Sequence, residues 1–181
     1  PDQVIVNSYQ FKKELDDKFG IKSYVIYNPL NKSEVIKKIK KKVNFKFFKK
    51  KKLKLITIGR LVDQKDHVTI LKSINLLKNE KIQLLIIGRG SNKINLEKYI
   101  LEKNLSSIIK IIPFQKNPYK YLKLADIFLF SSKFEGLPNV LLEAQCLKKY
   151  IISSNCPTGP KEILLNGLAG ELIKIGDYKT M

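Results

Sequence analysis

Two glutamates flank a Gly-Leu-Pro-Asn segment in the stretch FEGLPNVLLEA (134–144). A proline is favoured in the first turn of a helix, so Pro138 predicts a helix that begins there. Glu135 then lies in the preceding loop, whereas Glu143 lies along the helix, and the two carboxylates do not pair. They are placed to bind hydroxyl groups at the two ends of an elongated ligand. Backbone N–H groups between them suit an anion, so a sugar, a diphosphate and a ribose in series would fit.

Cationic residues follow an apolar run in the stretch GRLVDQKD (59–66). Gly59 allows a ligand to approach the backbone closely, and Arg60 and Lys65 supply two cations beside an expected helix N-terminus. Together these features form a natural diphosphate site. Arg60 is one of only two arginines in the sequence, and its planar fork of donors has no equivalent in lysine. The simpler alternative is a surface arginine in a loop that caps a helix.

Two further stretches carry weaker signals. In GRGSN (88–92) a pair of glycines follows an apolar run, but a plain turn explains this pair at least as well, and Arg89 is assigned no role. Pro113 and Phe114 end another apolar run, where backbone groups and an aromatic ring can hold a flat base. Packing of Phe114 in the core is the simpler alternative. The sequence shows no Ser-His-Asp arrangement, no Walker-type loop and no cluster with the spacing of metal ligands.

All of these stretches adjoin short apolar runs of the kind that form buried strands. Six such runs alternate with segments of helix length: LKLITIG (53–59), IQLLIIG (82–88), IIKIIPF (108–114), DIFLFSS (126–132), YIISSN (150–155) and AGELIKIG (169–176). In the first intervening segment the apolar residues share one helical face: Ile70, Leu71, Ile74 and Leu77. Strands that are apolar on both sides indicate a parallel sheet covered on both faces.

The predicted fold is therefore α/β, a Rossmann-like doubly wound parallel sheet of about six strands with helices on both faces. In such sheets ligands bind where the carboxyl ends of the strands meet helix N-termini. Because the candidate residues lie at those ends, we expect them to converge on one crevice.

The residues before the first of these six runs form a separate segment. QVIVNS (3–8) predicts a strand whose last residue caps a helix that runs to about Phe19, and YVIYNP (24–29) predicts a second short strand. Lys37–Lys54 is crowded with lysines, and because like charges resist compact packing, we expect a mobile loop or a frayed helix. The predicted units are an interdomain segment with a lysine-rich linker (1–52), the main domain (53–176) and a truncated tail (177–181).

The composition limits the class of protein. The chain has 181 residues, 44% of them hydrophobic, which is enough for one domain with a sizeable core. Its two cysteines fit a reduced cytosolic chain, and no apolar run is long enough to span a bilayer. The sequence does not begin with methionine, so we expect a piece of a longer protein. The formal charge of +19 comes almost entirely from lysine and favours anionic partners, unless most of these lysines are simply solvated.

The ordered set of motifs resembles the C-terminal domain of the group 1 glycosyltransferases, or glycosyltransferase family 4. The resemblance covers residues 4–176. VIVNS and VIYNP are similar to the segment that precedes the family's second Rossmann-like domain, and GRLVDQKD is similar to its phosphate-binding segment. EGLPNVLLE (135–143) fits the family's E-x7-E signature. The resemblance therefore implies the C-terminal half of a two-domain GT-B fold.

The resemblance also implies roles for individual residues. Arg60 and Lys65 hold the donor diphosphate, Glu135 contacts hydroxyls of the donor sugar, and Glu143 contacts the ribose hydroxyls. The catalytic candidates are accordingly Arg60, Lys65 and Glu135. The donor-binding candidates are the residues expected to border the sugar, phosphates, ribose or base: Gly59, Pro113, Phe114, Gly136, Leu137, Asn139, Val140 and Glu143.

The implied activity belongs to a retaining, metal-independent transferase without a cofactor. It moves a hexose or an N-acetylhexosamine from a nucleotide-diphosphate sugar, foremost a UDP-sugar, to a glycan or lipid-linked acceptor. The sequence departs from the family at Gly88–Ser91, where relatives often carry Gly-Asp-Gly-Pro. The family's N-terminal domain, which binds the acceptor, has no counterpart in these residues, and neither has the final helix that crosses back to it. The isolated chain is therefore expected to be inactive.

These features imply a location and a set of partners. We expect a cytoplasmic protein, peripheral on the inner membrane face, with Lys37–Lys54 as a candidate contact to acidic lipid. The alternative function is a lysine-rich module that binds nucleic acid or an anionic membrane surface without catalysis. Nucleic acid is the less expected partner, because the lysine-rich stretch matches no recognisable nucleic-acid-binding module.

Overall fold

Six parallel strands form the central sheet in the part of the chain that the computed structural model describes, residues 3–181. In chain order the strands are β1 (Val4–Val6), β2 (Ser23–Val25), β3 (Leu53–Ile58), β4 (Ile82–Ile87), β5 (Ile109–Ile112), β6 (Ile127–Phe130), β7 (Tyr150–Ser154) and β8 (Glu171–Ile173). The spatial order of the central sheet is β5-β4-β3-β6-β7-β8. The direction of winding reverses between β3 and β6, and a doubly wound sheet binds ligands at such a point.

The helices occupy the connections between the strands. They are α1 (Tyr9–Phe19), α2 (Lys32–Lys38), α3 (His67–Leu76), α4 (Lys93–Glu102), α5 (Tyr119–Leu122), α6 (Asn139–Cys146) and α7 (Pro160–Ile163). Two short 3-10 helices span Asp63–Lys65 and Leu165–Gly167. Within residues 3–181 no helix combines the length and the apolar character needed to cross a bilayer.

Strand β4 explains why helices cover both faces of the sheet. All six of its residues are buried. Leu84 and Ile86 pack in one apolar core with α3 and α4, whereas Leu85 and Ile87 pack in the other with α5, α6 and α7. Successive side chains of a strand point to opposite faces, so a strand that is buried on both faces needs two covering layers. The predicted doubly wound α/β fold is confirmed.

Helix α3 ends earlier than its apolar pattern predicts. Ile70, Leu71 and Ile74 are fully buried, but the helix ends at Leu76 and Leu77 is 43% exposed. Leu77 is the C-cap, and its φ of −100° and ψ of 15° lie outside the helical region. Its side chain therefore does not continue the buried face. The prediction was right for three residues of this face and wrong for Leu77.

The N-terminal residues form a small β-α-β unit beside the main sheet, in which β1 and β2 pair in parallel. Ser8 caps α1 as predicted, because its hydroxyl accepts a hydrogen bond from the Phe11 N–H at 3.2 Å. Glu162 of α7 joins this unit to the main domain. Its carboxylate accepts hydrogen bonds from the Tyr9 N–H at 3.1 Å and from the Tyr27 hydroxyl.

The lysine-rich stretch is irregular, yet it is attached to the domain. Helix α2 ends at Lys38, and residues 39–52 contain no helix or strand. The Phe45 ring packs edge-on against Phe48 and against Tyr121 of α5, with ring centroids 5.4 and 5.2 Å apart. Aromatic packing thus holds the expected loop against the sheet. The sequence prediction weighed only the repulsion between lysines and missed this anchor.

Candidate functional site

The loops that follow β3, β4 and β5 enclose a cavity of about 330 Å³ at the carboxyl edge of the sheet. All three loops contribute to the lining, which includes Gly59, Arg60, Gly88, Arg89, Phe114 and Gln115. The sequence predicted three of these residues as site residues, namely Gly59, Arg60 and Phe114. It assigned no role to Arg89 and did not single out Gln115.

Phe114 and Gln115 form the wall of the cavity beyond β5, whereas Pro113, which the sequence also predicted here, is not one of the lining residues. Phe114 is 62% exposed, so the alternative that it packs in the core is wrong. Strand β5 ends at Ile112, two residues before this ring. The Pro113 carbonyl accepts a hydrogen bond from Gln115 Nε2 at 3.1 Å, which folds the Gln115 side chain back over this segment. The wall therefore presents an exposed aromatic ring and a side-chain amide to the cavity.

Lys65 and Glu135 form an ion pair beside the cavity. Their Nζ and Oε1 atoms are 2.5 Å apart, and the side chains are only 16% and 10% exposed. Lys65 ends the 3-10 helix after β3 and Glu135 follows β6, so the pairing of β3 with β6 brings them together. The Lys65 side chain lies under Gly59, where an added Cβ would be 3.8 Å from it. The sequence predicted both residues but not their pairing.

The Lys65–Glu135 pair is better suited to binding a ligand than to stabilising the fold. Removing both charges from water costs about as much as their attraction returns, so such a pair contributes little net stability. An ammonium has three N–H donors, and a carboxylate has two oxygens. After pairing, Lys65 can still donate to an anion and Glu135 can still accept from a hydroxyl. The pair is therefore able to contact a phosphate and a sugar at the same time.

Gln64 links the arginine of the site to the loop that carries Glu135. Arg60 Nη2 donates to Gln64 Oε1 at 3.0 Å, and Gln64 Nε2 donates to the Phe134 carbonyl at 2.9 Å. The Gln64 carbonyl also accepts the Lys133 N–H at 2.8 Å. The arginine side chain is exposed and keeps further N–H donors for a ligand. The sequence did not predict Gln64, whose role depends on a contact 70 residues away.

Glu143 lies on α6 in an environment different from that of Glu135. The hydroxyl of Tyr119, which follows Pro118 in the cavity lining, donates to Glu143 Oε1 at 3.0 Å. Burial raises the pKa of Glu143, and the Tyr119 hydrogen bond and the nearby Lys38 charge partly offset this effect. Burial and the adjacent carboxylate raise the pKa of Tyr119 to about 12, so its hydroxyl remains a donor at neutral pH.

The loop that begins at Glu135 is packed against the loop after β7. The Glu135 N–H donates to the Pro157 carbonyl at 2.8 Å. The Thr158 hydroxyl donates to the carbonyls of Glu135 and Gly136, the latter at 3.0 Å. These contacts hold the backbone around Gly136 in place. Thr158 is a second positioning residue that the sequence did not predict.

Helix α6 begins at Asn139, and Pro138 is its N-cap rather than part of its first turn, one residue from the predicted start. The N–H groups of Asn139 and Val140 have no acceptor within the helix, as at every helix start, and are suited to an anion. The Asn139 side chain accepts a hydrogen bond from Asn28 Nδ2 at 3.1 Å. Leu137 is only 8% exposed, so its side chain belongs to the core and only its backbone is suited to contact a donor.

The two glycines after β4 are required by close packing between loops. A Cβ at Gly88 would lie 1.9 Å from the Gly59 carbonyl oxygen, and a Cβ at Gly90 would lie 2.3 Å from the Leu61 carbonyl oxygen. Between them, the Arg89 carbonyl accepts the Leu61 N–H at 2.9 Å. The interpretation of this pair as a plain turn is therefore incomplete, because the glycines let the second loop lie directly on the first.

We expect Gly88→Ala to destabilise the fold, because the added Cβ would overlap the carbonyl of residue 59. Overpacking of this kind typically costs about 1–3 kcal/mol. The melting temperature should fall by roughly 2–12 °C in differential scanning calorimetry. Gly59→Ala is the matched control, since its Cβ would meet only the Lys65 side chain at 3.8 Å. Equal melting temperatures for the two variants would contradict the steric explanation.

Comparison of the sequence with known proteins identifies its family. The model of the group 1 glycosyl transferases matches residues 37–181. An uncharacterised glycosyltransferase of Methanocaldococcus jannaschii is 41% identical over 111 residues, 60% of this chain and 27% of that protein. The N-acetylgalactosamine-N,N'-diacetylbacillosaminyl-diphospho-undecaprenol 4-alpha-N-acetylgalactosaminyltransferase of Campylobacter jejuni is 27% identical over 183 residues, 99% of this chain and 48% of the relative. The chain thus spans less than half the length of these relatives.

Solved structures share the fold. A glycosyltransferase from Rickettsia africae has a TM-score of 0.86 at 18% identity, covering 98% of this chain and 50% of its own. Anabaena HepE in complex with UDP-glucose has a TM-score of 0.83 at 16% identity, covering 98% of this chain and 51% of its own. The sheet and its helices match the Rossmann-like half of the GT-B fold. Because the family model covers most of its length, the chain belongs to the group 1 glycosyltransferases.

Proposed function

We propose that this chain is the donor-binding domain of a retaining glycosyltransferase that uses a nucleotide-diphosphate sugar. The proposed donor is a UDP-hexose or UDP-N-acetylhexosamine, and the proposed acceptor is a glycan or a lipid-linked sugar. The observation that carries the proposal is a connected set of contacts that starts from Arg60 in the lining of the cavity. Gln64 links Arg60 to the loop that carries Glu135, the partner of Lys65. On the other side Glu143 accepts from Tyr119, the neighbour of the lining residue Pro118.

A nucleotide sugar fits these groups from end to end. In the proposed pose the base lies in the cavity beside Phe114, and the ribose hydroxyls donate to Glu143. The diphosphate accepts hydrogen bonds from Arg60, from Lys65 and from the N–H groups at the start of α6. The sugar hydroxyls then reach Glu135. This order explains why the two glutamates have different neighbours, one cationic and one phenolic.

In the proposed reaction the bond between the anomeric carbon and the β-phosphate oxygen breaks. The acceptor hydroxyl oxygen bonds to the same carbon from the same face, and its proton passes to the leaving diphosphate. Arg60, Lys65 and the N–H groups of α6 stabilise the negative charge that develops on the diphosphate, because they are already oriented before the bond breaks. Glu135 orients the sugar and holds the Lys65 ammonium. We assign no side chain of the protein as a nucleophile in this reaction, and no metal.

Names of relatives support the donor and acceptor classes. The Campylobacter relative is an N-acetylgalactosaminyltransferase that acts on a diphospho-undecaprenol-linked sugar. Relatives from Staphylococcus aureus and Erwinia amylovora act in capsular polysaccharide and amylovoran biosynthesis. The HepE structure holds UDP-glucose. By analogy, we assign polysaccharide biosynthesis to the whole protein and place the acceptor site in the half that this chain does not span.

The proposed location is cytoplasmic and peripheral, with the lysine-rich stretch facing an acidic membrane surface. Between Val35 and Lys54 the sequence contains eleven lysines and no acidic residue. The Phe45 anchor holds this stretch on the domain, and all of its lysines are exposed or half-buried. Each lysine near an anionic surface contributes roughly 1 kcal/mol of binding, which is enough in sum for peripheral attachment.

The proposal is tested by calorimetric titration of the chain with UDP and by an assay of sugar transfer. We expect weak binding of UDP and no transfer, because the acceptor site is assigned to another part of the protein. A short DNA duplex titrated at two salt concentrations is the comparison ligand, since binding through the lysines would weaken steeply with salt. Transfer of sugar by this chain alone would contradict the proposed division of labour. Binding of DNA without UDP would contradict the donor site.

A further inference from the structure

Both arginines of the sequence line the cavity at the carboxyl edge of the sheet. Arg60 and Arg89 are the only arginines, and every other residue in the cationic count is a lysine. Neither of the lysines nearest in sequence, Lys65 and Lys93, belongs to the cavity lining. The proposed contact with the diphosphate accounts for the arginine at position 60. Arg89 has so far no role.

The backbone of Arg89 is held firmly at the cavity wall. Its carbonyl accepts the Leu61 N–H at 2.9 Å, and the glycines on either side pack against the loop after β3 with no room for a Cβ. The guanidinium carbon lies 5.5 Å from the centroid of the Phe114 ring, within the range of a cation–π contact. The loop geometry therefore aims this side chain across the cavity at the exposed aromatic ring.

The surroundings of Arg89 suit a flat ring better than a phosphate. The same lining contains the apolar side chains of Ile58, Ile87 and Pro118, and phosphate gains nothing from apolar neighbours. A guanidinium is planar, so it can stack on an aromatic ring and donate hydrogen bonds from its edge at the same time. An ammonium also donates hydrogen bonds, but it has no plane that can stack. An exposed phenyl ring beside a guanidinium is the kind of platform on which nucleobases stack.

We propose that Arg89 and Phe114 together contact the nucleobase of the donor, with an Arg89 N–H donated to a carbonyl oxygen of the base. This inference rests on the proposed function and adds a specificity residue to it. Uracil and guanine present carbonyl oxygens, whereas adenine presents an amino donor in their place. The contact therefore favours UDP and GDP over ADP.

The experiment is a calorimetric titration of wild type, Arg89→Ala, Arg89→Lys and Arg60→Ala with UDP, uridine, ADP and inorganic pyrophosphate, with weak ligands measured by competition. Loss of a hydrogen bond to a charged group typically lowers affinity by roughly tenfold to a hundredfold. Arg89→Ala should weaken UDP and uridine by the same factor, leave pyrophosphate unchanged and reduce the preference for UDP over ADP. Arg89→Lys should not restore the affinity. Arg60→Ala should instead weaken UDP and pyrophosphate and spare uridine.

Lys116→Ala is the matched control. It removes one exposed positive charge next to Gln115 without removing a group that lines the cavity, and should change none of these affinities by more than about twofold. If Arg89→Ala weakens pyrophosphate as much as uridine, or changes neither, the assignment to the base is wrong while the donor site stands. If wild type binds no UDP, the proposed function fails, and the inference fails with it.

Discussion

Replacing Arg60 with alanine is expected to lower the affinity of the chain for UDP by roughly tenfold to a hundredfold, with little change in its affinity for uridine. The reason is that a hydrogen bond to a charged group contributes about 1.5–3 kcal/mol, and only UDP carries the diphosphate. Lys65→Ala should have the same effect. Isothermal titration calorimetry with both ligands measures the difference.

Two controls separate a phosphate clamp from a general effect of charge. Arg60→Lys keeps the charge but loses the planar fork, so it should not restore UDP affinity. Neutralising Lys49–Lys52 removes four exposed or half-buried charges and should leave UDP affinity almost unchanged, because solvent and salt screen them. If the lysine variant loses UDP affinity and Arg60→Ala does not, the chain binds anions through its surface charge and the donor site is wrong.

Lys65→Ala needs a partner variant because it leaves the Glu135 carboxylate buried without its cation. Breaking a buried ion pair by removing one partner typically destabilises a fold by about 3–5 kcal/mol, because the remaining charge is buried without compensation. Lys65→Ala combined with Glu135→Gln removes both charges and should recover thermal stability. It should not recover UDP affinity, which distinguishes loss of the phosphate contact from loss of structure.

Glu143→Ala is expected to weaken UDP, UMP and uridine by the same factor, roughly tenfold to a hundredfold, because the predicted partner of this carboxylate is the ribose that all three share. Glu135→Gln, whose amide oxygen can still accept from Lys65, should leave UDP affinity nearly unchanged and weaken only the sugar-bearing donor, since the predicted partner of Glu135 is the sugar. Titration of each variant with UDP-glucose, UDP and uridine measures the split.

Tyr119→Phe is the control for Glu143. It removes the hydroxyl that donates to the carboxylate and keeps the ring, so it should weaken nucleoside binding less than Glu143→Ala does. A larger effect of Tyr119→Phe would show that Glu143 acts mainly by holding the tyrosine. Equal loss of UDP affinity in Glu135→Gln and Glu143→Ala would mean that the two carboxylates do not divide the donor as proposed.

The sequence by itself determined the layers of the fold. The apolar runs that form β3 to β8 were all predicted as strands, because a strand that is buried in a covered sheet has a largely apolar sequence. The separation of Glu135 and Glu143 was also predicted, since a proline-bounded helix start is a local signal. The two errors of boundary, at Leu77 and Pro138, are single-residue errors at helix ends, where caps rather than periodicity decide. The domain boundary at residue 52 stays a prediction.

Only the tertiary structure decided which side chains meet. Lys65 and Glu135 are 70 residues apart and pair because β3 and β6 are neighbours in the sheet. Tyr119 and Glu143 are 24 residues apart and meet because α5 and α6 cover the same face. Arg89 reaches Phe114 because two glycines let one loop lie on another. The apolar pattern of a strand indicates that its faces are buried, but it does not indicate which strand lies beside it. Contacts between strand-end loops therefore depend on the order of the strands in the folded sheet.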